Sequence, residues 1–312
     1  MRINSVTRQS GLLAALLLMF IIVVAMSVSA VRATGAGASP RLWLDTFASS
    51  VLMLATGMLV GRMSIKMGIF RTFCTLAIPM FGILSCGAYI DMPFANIAAA
   101  TLCLAVALLL FSESLVVPGA KNPIFFGAIL LGGTALLYPP CVVLVVLLPA
   151  AALISAQSLR QIIIGCVGWL LPIFAVSYVS WYGGNGFCDA AREMADKLAA
   201  SQPFAAFDAL PILSVTIYVI AGLLIVAGIV LRCLDRGTML VNTRKSLQML
   251  TIALFALAAA CALPGCTVAM VPIMAVPAAV LVAYTLEKGR SDISTIIYWL
   301  LLLLLLLHLF IG

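Results

Sequence analysis

Two carboxylates in short polar gaps between long apolar runs are the first residues able to do chemistry. Asp45 lies in Arg41-Leu42-Trp43-Leu44-Asp45-Thr46-Phe47, and Asp91 lies in Tyr89-Ile90-Asp91-Met92-Pro93. A carboxylate at a membrane surface can act as a general base on an acceptor or bind a divalent cation. Each has a structural competitor. Asp45 stands where an apolar run begins, and an Asp there caps the free amides of a first helical turn; Asp91 near a proline suits a turn. Arg41, Arg192 and Lys197 share the outer side that the charge distribution implies, and a cation beside an apolar groove is what a lipid phosphate requires. Against that stands a solvated face on which Arg192 and Lys197 pair locally with Glu193 and Asp196, pairs that need no function. His308 is expected at the outer interface, since one histidine alone makes no proton path.

The elements that must position these residues follow from the solvent. Of 312 residues, 65% are hydrophobic and 9% charged, against roughly 45–50% and about 25% in a soluble domain. In a bilayer every backbone N–H and C=O must be bonded within the spanning element, so the fold class is all-α, a polytopic transmembrane helix bundle. Spans are expected near 11–31, 45–61, 72–90, 95–111, 124–138, 141–157, 162–182, 211–231, 247–264, 267–286 and 294–312, about eleven in all. The segment around Tyr138-Pro139-Pro140 reads as two spans joined by a tight external hairpin or as one broken helix. The hairpin is preferred, because Pro140 pushes Pro139 away from helical geometry. The first run, with Arg2 and Arg8 before it and Ser27-Val28-Ser29-Ala30 near its end, resembles a cleavable signal. Its apolar stretch of about 20 residues exceeds a signal core of about 7–15, which favours an anchor.

The formal net charge is +7, yet the basic residues form no patch with interleaved aromatics, so nucleic acid is not indicated. They report topology instead. Arg2, Arg8, Arg62, Lys66, Arg71, Lys121, Arg160, Arg232, Arg236, Arg244, Lys245, Lys288 and Arg290 fall on one side, with Arg32, Arg41, Arg192 and Lys197 on the other. The positive-inside rule then puts the N-terminus in the cytoplasm and the C-terminus outside, in a bacterial inner membrane. Six of the ten acids fall outside, Asp45 and Asp91 among them. The longest external connection, 183–210, opens on Gly183-Gly184-Asn185-Gly186 and carries apolar residues at 187, 190, 191, 194, 195 and 198, the spacing of a short interfacial helix. The whole chain is one membrane domain.

Nine cysteines are scattered through apolar runs without the close pairs of a zinc or thioredoxin-like site. Only Cys188 and Cys266 fall near the outer face. No catalytic triad, phosphate loop, zincin helix or dinucleotide fingerprint is present, and no soluble cofactor is indicated. No span carries two central charges, which disfavours a charge-coupled transporter or flippase.

The stretch Phe125-Phe126-Gly127-Ala128-Ile129-Leu130-Leu131-Gly132-Gly133-Thr134-Ala135-Leu136-Leu137-Tyr138-Pro139-Pro140, followed by Ser158-Leu159-Arg160-Gln161 and Gly165-Cys166-Val167-Gly168-Trp169-Leu170-Leu171-Pro172, resembles the middle of multi-pass glycosyltransferases that use polyprenyl-phosphate sugars. The order of elements also looks like a family of uncharacterised bacterial inner-membrane proteins. The likeness covers roughly 40–182 and departs at Tyr138, where the family often has a basic residue, and in the first loop, which lacks the usual acid pair. It implies an outward-facing site with Asp45 as catalytic base or metal ligand. Asp91 is the secondary acid, Arg41 or Arg192 would hold the lipid phosphate of a polyprenyl-phosphate sugar, and Tyr138, Pro139 and Pro140 would shape the groove. The expected function is a transferase-like role in envelope glycan or glycoprotein assembly; the alternative is a non-enzymatic scaffold or lipid-handling subunit of an envelope complex.

Overall fold

The computed structural model describes residues 11–34, 40–69, 75–88, 94–116, 122–155, 159–199, 210–235, 239–289 and 291–311. These residues form helices throughout: α1 Gly11–Thr34, α2 Pro40–Lys66, α3 Ala77–Ser85, α4 Phe94–Val116, α5 Asn122–Leu137, a 3-10 helix Pro139–Val146, α6 Leu147–Ser155, α7 Leu159–Tyr182, α8 Asp189–Ala199, α9 Ile212–Leu234, α10 Val241–Ala260, α11 Met270–Lys288 and α12 Ser291–Ile311. Seven of them, α1, α2, α4, α7, α9, α11 and α12, are long and apolar enough to cross a bilayer. Two shorter apolar helical stretches cover Asn122–Leu137 and Pro139–Ile154. The chain is thus an all-helical, multi-pass membrane protein.

The centre of the bundle is α11, which touches α2, α3, α4, α9, α10 and α12. Its run of small residues, Ala275, Ala278, Ala279 and Ala283, lets neighbouring backbones approach closely, the main source of helix association in lipid. Beside it lies the largest departure from the spans read in the sequence. Where 72–90 reads as a crossing, the structure has the nine-residue α3, every residue of which is buried. Hydropathy cannot separate a lipid-facing crossing from a short helix enclosed by others, since both are apolar all round. α3 is sealed by its neighbours: Gly57 and Gly82 receive Leu18 of α1, and Gly61 receives Ile78.

At Tyr138 the chain is extended (φ −141°, ψ 96°) before Pro139 opens the 3-10 helix. The glycines show what the chain does there. Gly168 of α7 faces Phe125 and Ala128 of α5, and Gly132 faces Trp169 and Pro172, so α5 and α7 run parallel. The connection between them must therefore run back. Leu148 accordingly stands beside Gly165, which also meets Ile124 at the start of α5. The chain doubles back at the Pro-Pro step, yet the residue held extended is Tyr138, before Pro139, while Pro139, expected outside helical geometry, itself opens the 3-10 helix.

Two long helices end in the same way. Gly68 (φ 61°) and Gly184 (φ 91°) occupy left-handed backbone that glycine enters without a Cβ penalty. After α2, Gly68 N–H donates to Ile65 and Ile69 N–H to Ser64; after α7, Gly184 N–H donates to Trp181 and Asn185 N–H to Ser180. Both are Schellman caps, in which the last carbonyls find donors. The second turns the chain into α8, where Asp189 accepts the Gly186 N–H at 2.6 Å. Ala190, Met194 and Leu198 are half-buried at four-residue spacing, so the apolar stripe of α8 lies on α7 and the 3-10 helix.

Long-range polar contacts divide the bundle into two ends. One joins Lys66 to Glu113, Thr243 to the Gly68 carbonyl at 3.0 Å and Lys288 to Asp235 at 2.7 Å. The other joins Tyr138 to Thr267 and Ser214 to His308, and there Gly265 also packs closely on the backbone of Leu198. His308 is packed inside the bundle against α9, 2% exposed, and not at a free interface.

Candidate functional site

The residues expected to form an outward-facing site do not converge. Arg41 and Asp45 are exposed on the first turns of α2, which packs on α1, α3, α4 and α11. Because α2 begins at Pro40, Asp45 sits inside the helix, more than a turn past the cap position, and caps nothing among the described residues. Its backbone carbonyl accepts from Ser49. Arg192 is exposed on α8, 3.9 Å from Asp189, and α8 packs on α7, on the 3-10 helix and, at Leu198, against Gly265 of the α10–α11 connection. Asp91 lies outside the described residues. Among the described residues no group of three His, Cys, Asp or Glu side chains is placed to hold a metal ion, so a cation at Asp45 would need other ligands.

The α8 ions behave as a solvated face. Lys197 lies 2.7 Å from Glu193 and holds that carboxyl below the usual range. The sign follows: a depressed carboxyl contributes only above its unfolded pKa, and the contribution disappears as pH falls through the folded value. Both groups are exposed, so the pair is screened and weak. Because Asp45 neither caps nor pairs within the described residues, Asp45→Asn should leave thermal stability within about 0.5 kcal/mol of wild type. A melting curve in detergent checks this.

Tyr138 takes a structural place. Its hydroxyl accepts the Thr267 N–H at 2.8 Å and lies 3.3 Å from the Thr267 carbonyl, tying the hairpin to the α10–α11 connection. Pro140 is buried beside it. The three residues shape the joint between hairpin and bundle, and they do not line the cavity described next.

That cavity is a cleft of about 700 Å³ between α9 and α10. These two helices both pack on α11 and barely touch each other. Val271, Met274 and Ala278 of α11 form its floor, with Val219 and Gly222 of α9 and Phe255 of α10 on the walls. A Cβ at Gly222 would meet nothing within 4 Å, so the glycine looks into open space. At one end the Tyr218 hydroxyl donates to the Leu84 carbonyl at 3.3 Å, satisfying a C-terminal carbonyl of α3. At the other, Ile229 lines the cleft one turn before Arg232, whose guanidinium donates to Thr251 at 3.0 Å. Lys288 and Asp235 pair beside it. The Tyr284 hydroxyl, in a side chain 1% exposed within the field of Arg232, Asp235 and Glu287, has no hydrogen-bond partner among the described residues.

The arrangement is an apolar slot with polar groups at its ends. The sequence carried little signal for it: valines and a glycine at 215, 219, 222 and 226 are equally what a lipid-facing helix presents. Comparison with known proteins adds nothing to this geometry, as no family model, curated protein or solved structure matches the chain.

Proposed function

We propose that this chain is an inner-membrane, lipid-handling component of the cell envelope whose α9–α10 cleft holds one hydrocarbon chain of a phosphate-bearing lipid. The observation that carries the reading is the cleft: about 700 Å³, within the roughly 300–1,000 Å³ of ligand pockets, apolar along its length and bounded by Arg232. In lipid there is no hydrophobic drive for a chain to leave its neighbours, so retention must come from packing in the slot and from polar contacts at its end. Arg232 supplies a planar, permanently charged donor suited to a phosphate. The end of the bundle that carries Arg62, Lys66, Arg160, Arg232, Arg244, Lys245 and Lys288 is the cytoplasmic one in this reading, which places the headgroup in the inner leaflet. The transferase-like alternative keeps the same lipid class but rests on Asp45, an exposed side chain on a helix that lines none of the cleft.

Native mass spectrometry of the purified protein with added phosphatidylglycerol or a short polyprenyl phosphate tests the proposal. One lipid should remain bound per chain. Gly222→Phe, which places a ring in open space, should reduce retention about tenfold, equivalent to about 1.4 kcal/mol. Equal retention by Gly222→Phe and wild type would move the lipid elsewhere. Preference between the two lipids distinguishes a bulk phospholipid from an envelope carrier.

A further inference from the structure

The stripe of α9 that faces the cleft runs through Gly222, Val226 and Ile229, and that of α10 runs through Ala258, Phe255 and Leu254. Continued by one helical turn toward the inner end, the two stripes reach Arg232 on α9 and Thr251 on α10. The side chains meet there, with an Arg232 guanidinium N–H donating to Thr251 Oγ1 at 3.0 Å. Because α9 and α10 otherwise have little contact, this bond crosses the inner mouth of the cleft.

Thr251 is prepared to receive it. Its hydroxyl proton goes to the Leu247 carbonyl of its own helix at 2.7 Å, so the lone pairs of Oγ1 are what it presents to α9. The residue is 7% exposed, and in an apolar setting a valine would fill the same space with no hydroxyl to satisfy. Bonding back to its own helix asks nothing of α9; the second bond does. A long arginine side chain loses rotamer freedom when a ligand orders it, and fixing it beforehand removes that cost from binding. The guanidinium carries five N–H donors in a rigid fork, so a bond to Thr251 is compatible with a phosphate oxygen as a second acceptor.

We propose that Thr251 is a positioning residue: it holds the Arg232 guanidinium across the inner mouth of the α9–α10 cleft and so makes the cleft select lipids with a phosphate headgroup over neutral lipids with the same chains. The inference rests on the lipid-binding reading of the cleft.

Native mass spectrometry of the full-length protein with equal amounts of palmitoyl-oleoyl phosphatidylglycerol and palmitoyl-oleoyl glycerol reads the selection directly. Wild type should retain the phosphate lipid in preference to the neutral one. Thr251→Val should lower that preference about two- to tenfold, the scale of ordering one long side chain on binding, with retention of the neutral lipid unchanged. Thr251→Ser, which keeps the oxygen, should restore it. In an Arg232→Gln background Thr251→Val should change nothing further, since the two residues act as one unit. A wild-type preference in Thr251→Val would overturn the proposal, and so would an equal loss of both lipids, which marks packing. Thr251→Ala answers the same question if the valine variant does not fold. Wild type retaining neither lipid, or Gly222→Phe retaining both as well as wild type, would instead overturn the reading of the cleft on which the inference rests.

Discussion

Gly132→Leu should destabilise the folded bundle by about 3 kcal/mol, while Gly133→Leu, one residue along the same helix, should change stability by less than about 0.5 kcal/mol. The reasoning is steric. A Cβ at Gly132 would collide with the Trp169 carbonyl oxygen and stand 3.2 Å from Pro172 Cγ, whereas one at Gly133 meets nothing within 4 Å. Backbone cannot swing aside as a side-chain end can, so α5 and α7 would have to part. Parting would also break the contact at Gly168, where a Cβ would lie 2.8 Å from the Phe125 carbonyl. Since α5 and α7 are one of the most extensive helix pairs, their separation would loosen the hairpin that depends on both. Thermal unfolding of the two variants in the same detergent checks this, and equal midpoints would refute the packing described.

The second large effect is expected for Tyr138→Phe, at about 1–3 kcal/mol. The substitution keeps the ring and removes only the oxygen that accepts the Thr267 N–H at 2.8 Å. A half-buried amide is then left without its partner, and the penalty is that of desolvating an unpaired donor, not of losing packing. Thr267→Val should cost less, because the Tyr138–Thr267 N–H bond survives and only the 3.2 Å contact between the two hydroxyls is lost. A midpoint for Tyr138→Phe no lower than for Thr267→Val would show that water replaces the tyrosine oxygen and that the joint is not a structural tie.

The connection from 183 to 199 shows how much of the architecture is legible from residue types. Gly184 is the left-handed residue that ends α7, and the alternation of apolar and charged residues after it specifies a helix with one sticky stripe. The ends of α2 and α9 follow similarly from their basic last turns. For 72–90 composition could not show what surrounds an apolar segment, and among the described residues the structure has there the short, buried α3. Asp45 was readable as a cap only while the start of α2 was placed near it. In the structure the helix begins at Pro40, a residue pre-set for a first helical turn. The structure brings neither Asp45 to Arg192 nor Tyr138 to either.

From the sequence alone came the properties that depend on local composition: an all-helical membrane chain, breaks at Pro139-Pro140, a surface helix after Gly186, and the sorting of basic residues into two groups. These follow because a bilayer leaves the backbone one solution per apolar run and because charge cannot be buried in it unpaired. Which helix became central, that α3 is enclosed, that α9 and α10 splay to open a cleft, and that Cys261 and Met274 meet behind it were decided only by tertiary packing. Residues far apart in the chain meet through steric fit between glycine and alanine faces, and that fit is a property of pairs of helices that no single apolar segment encodes.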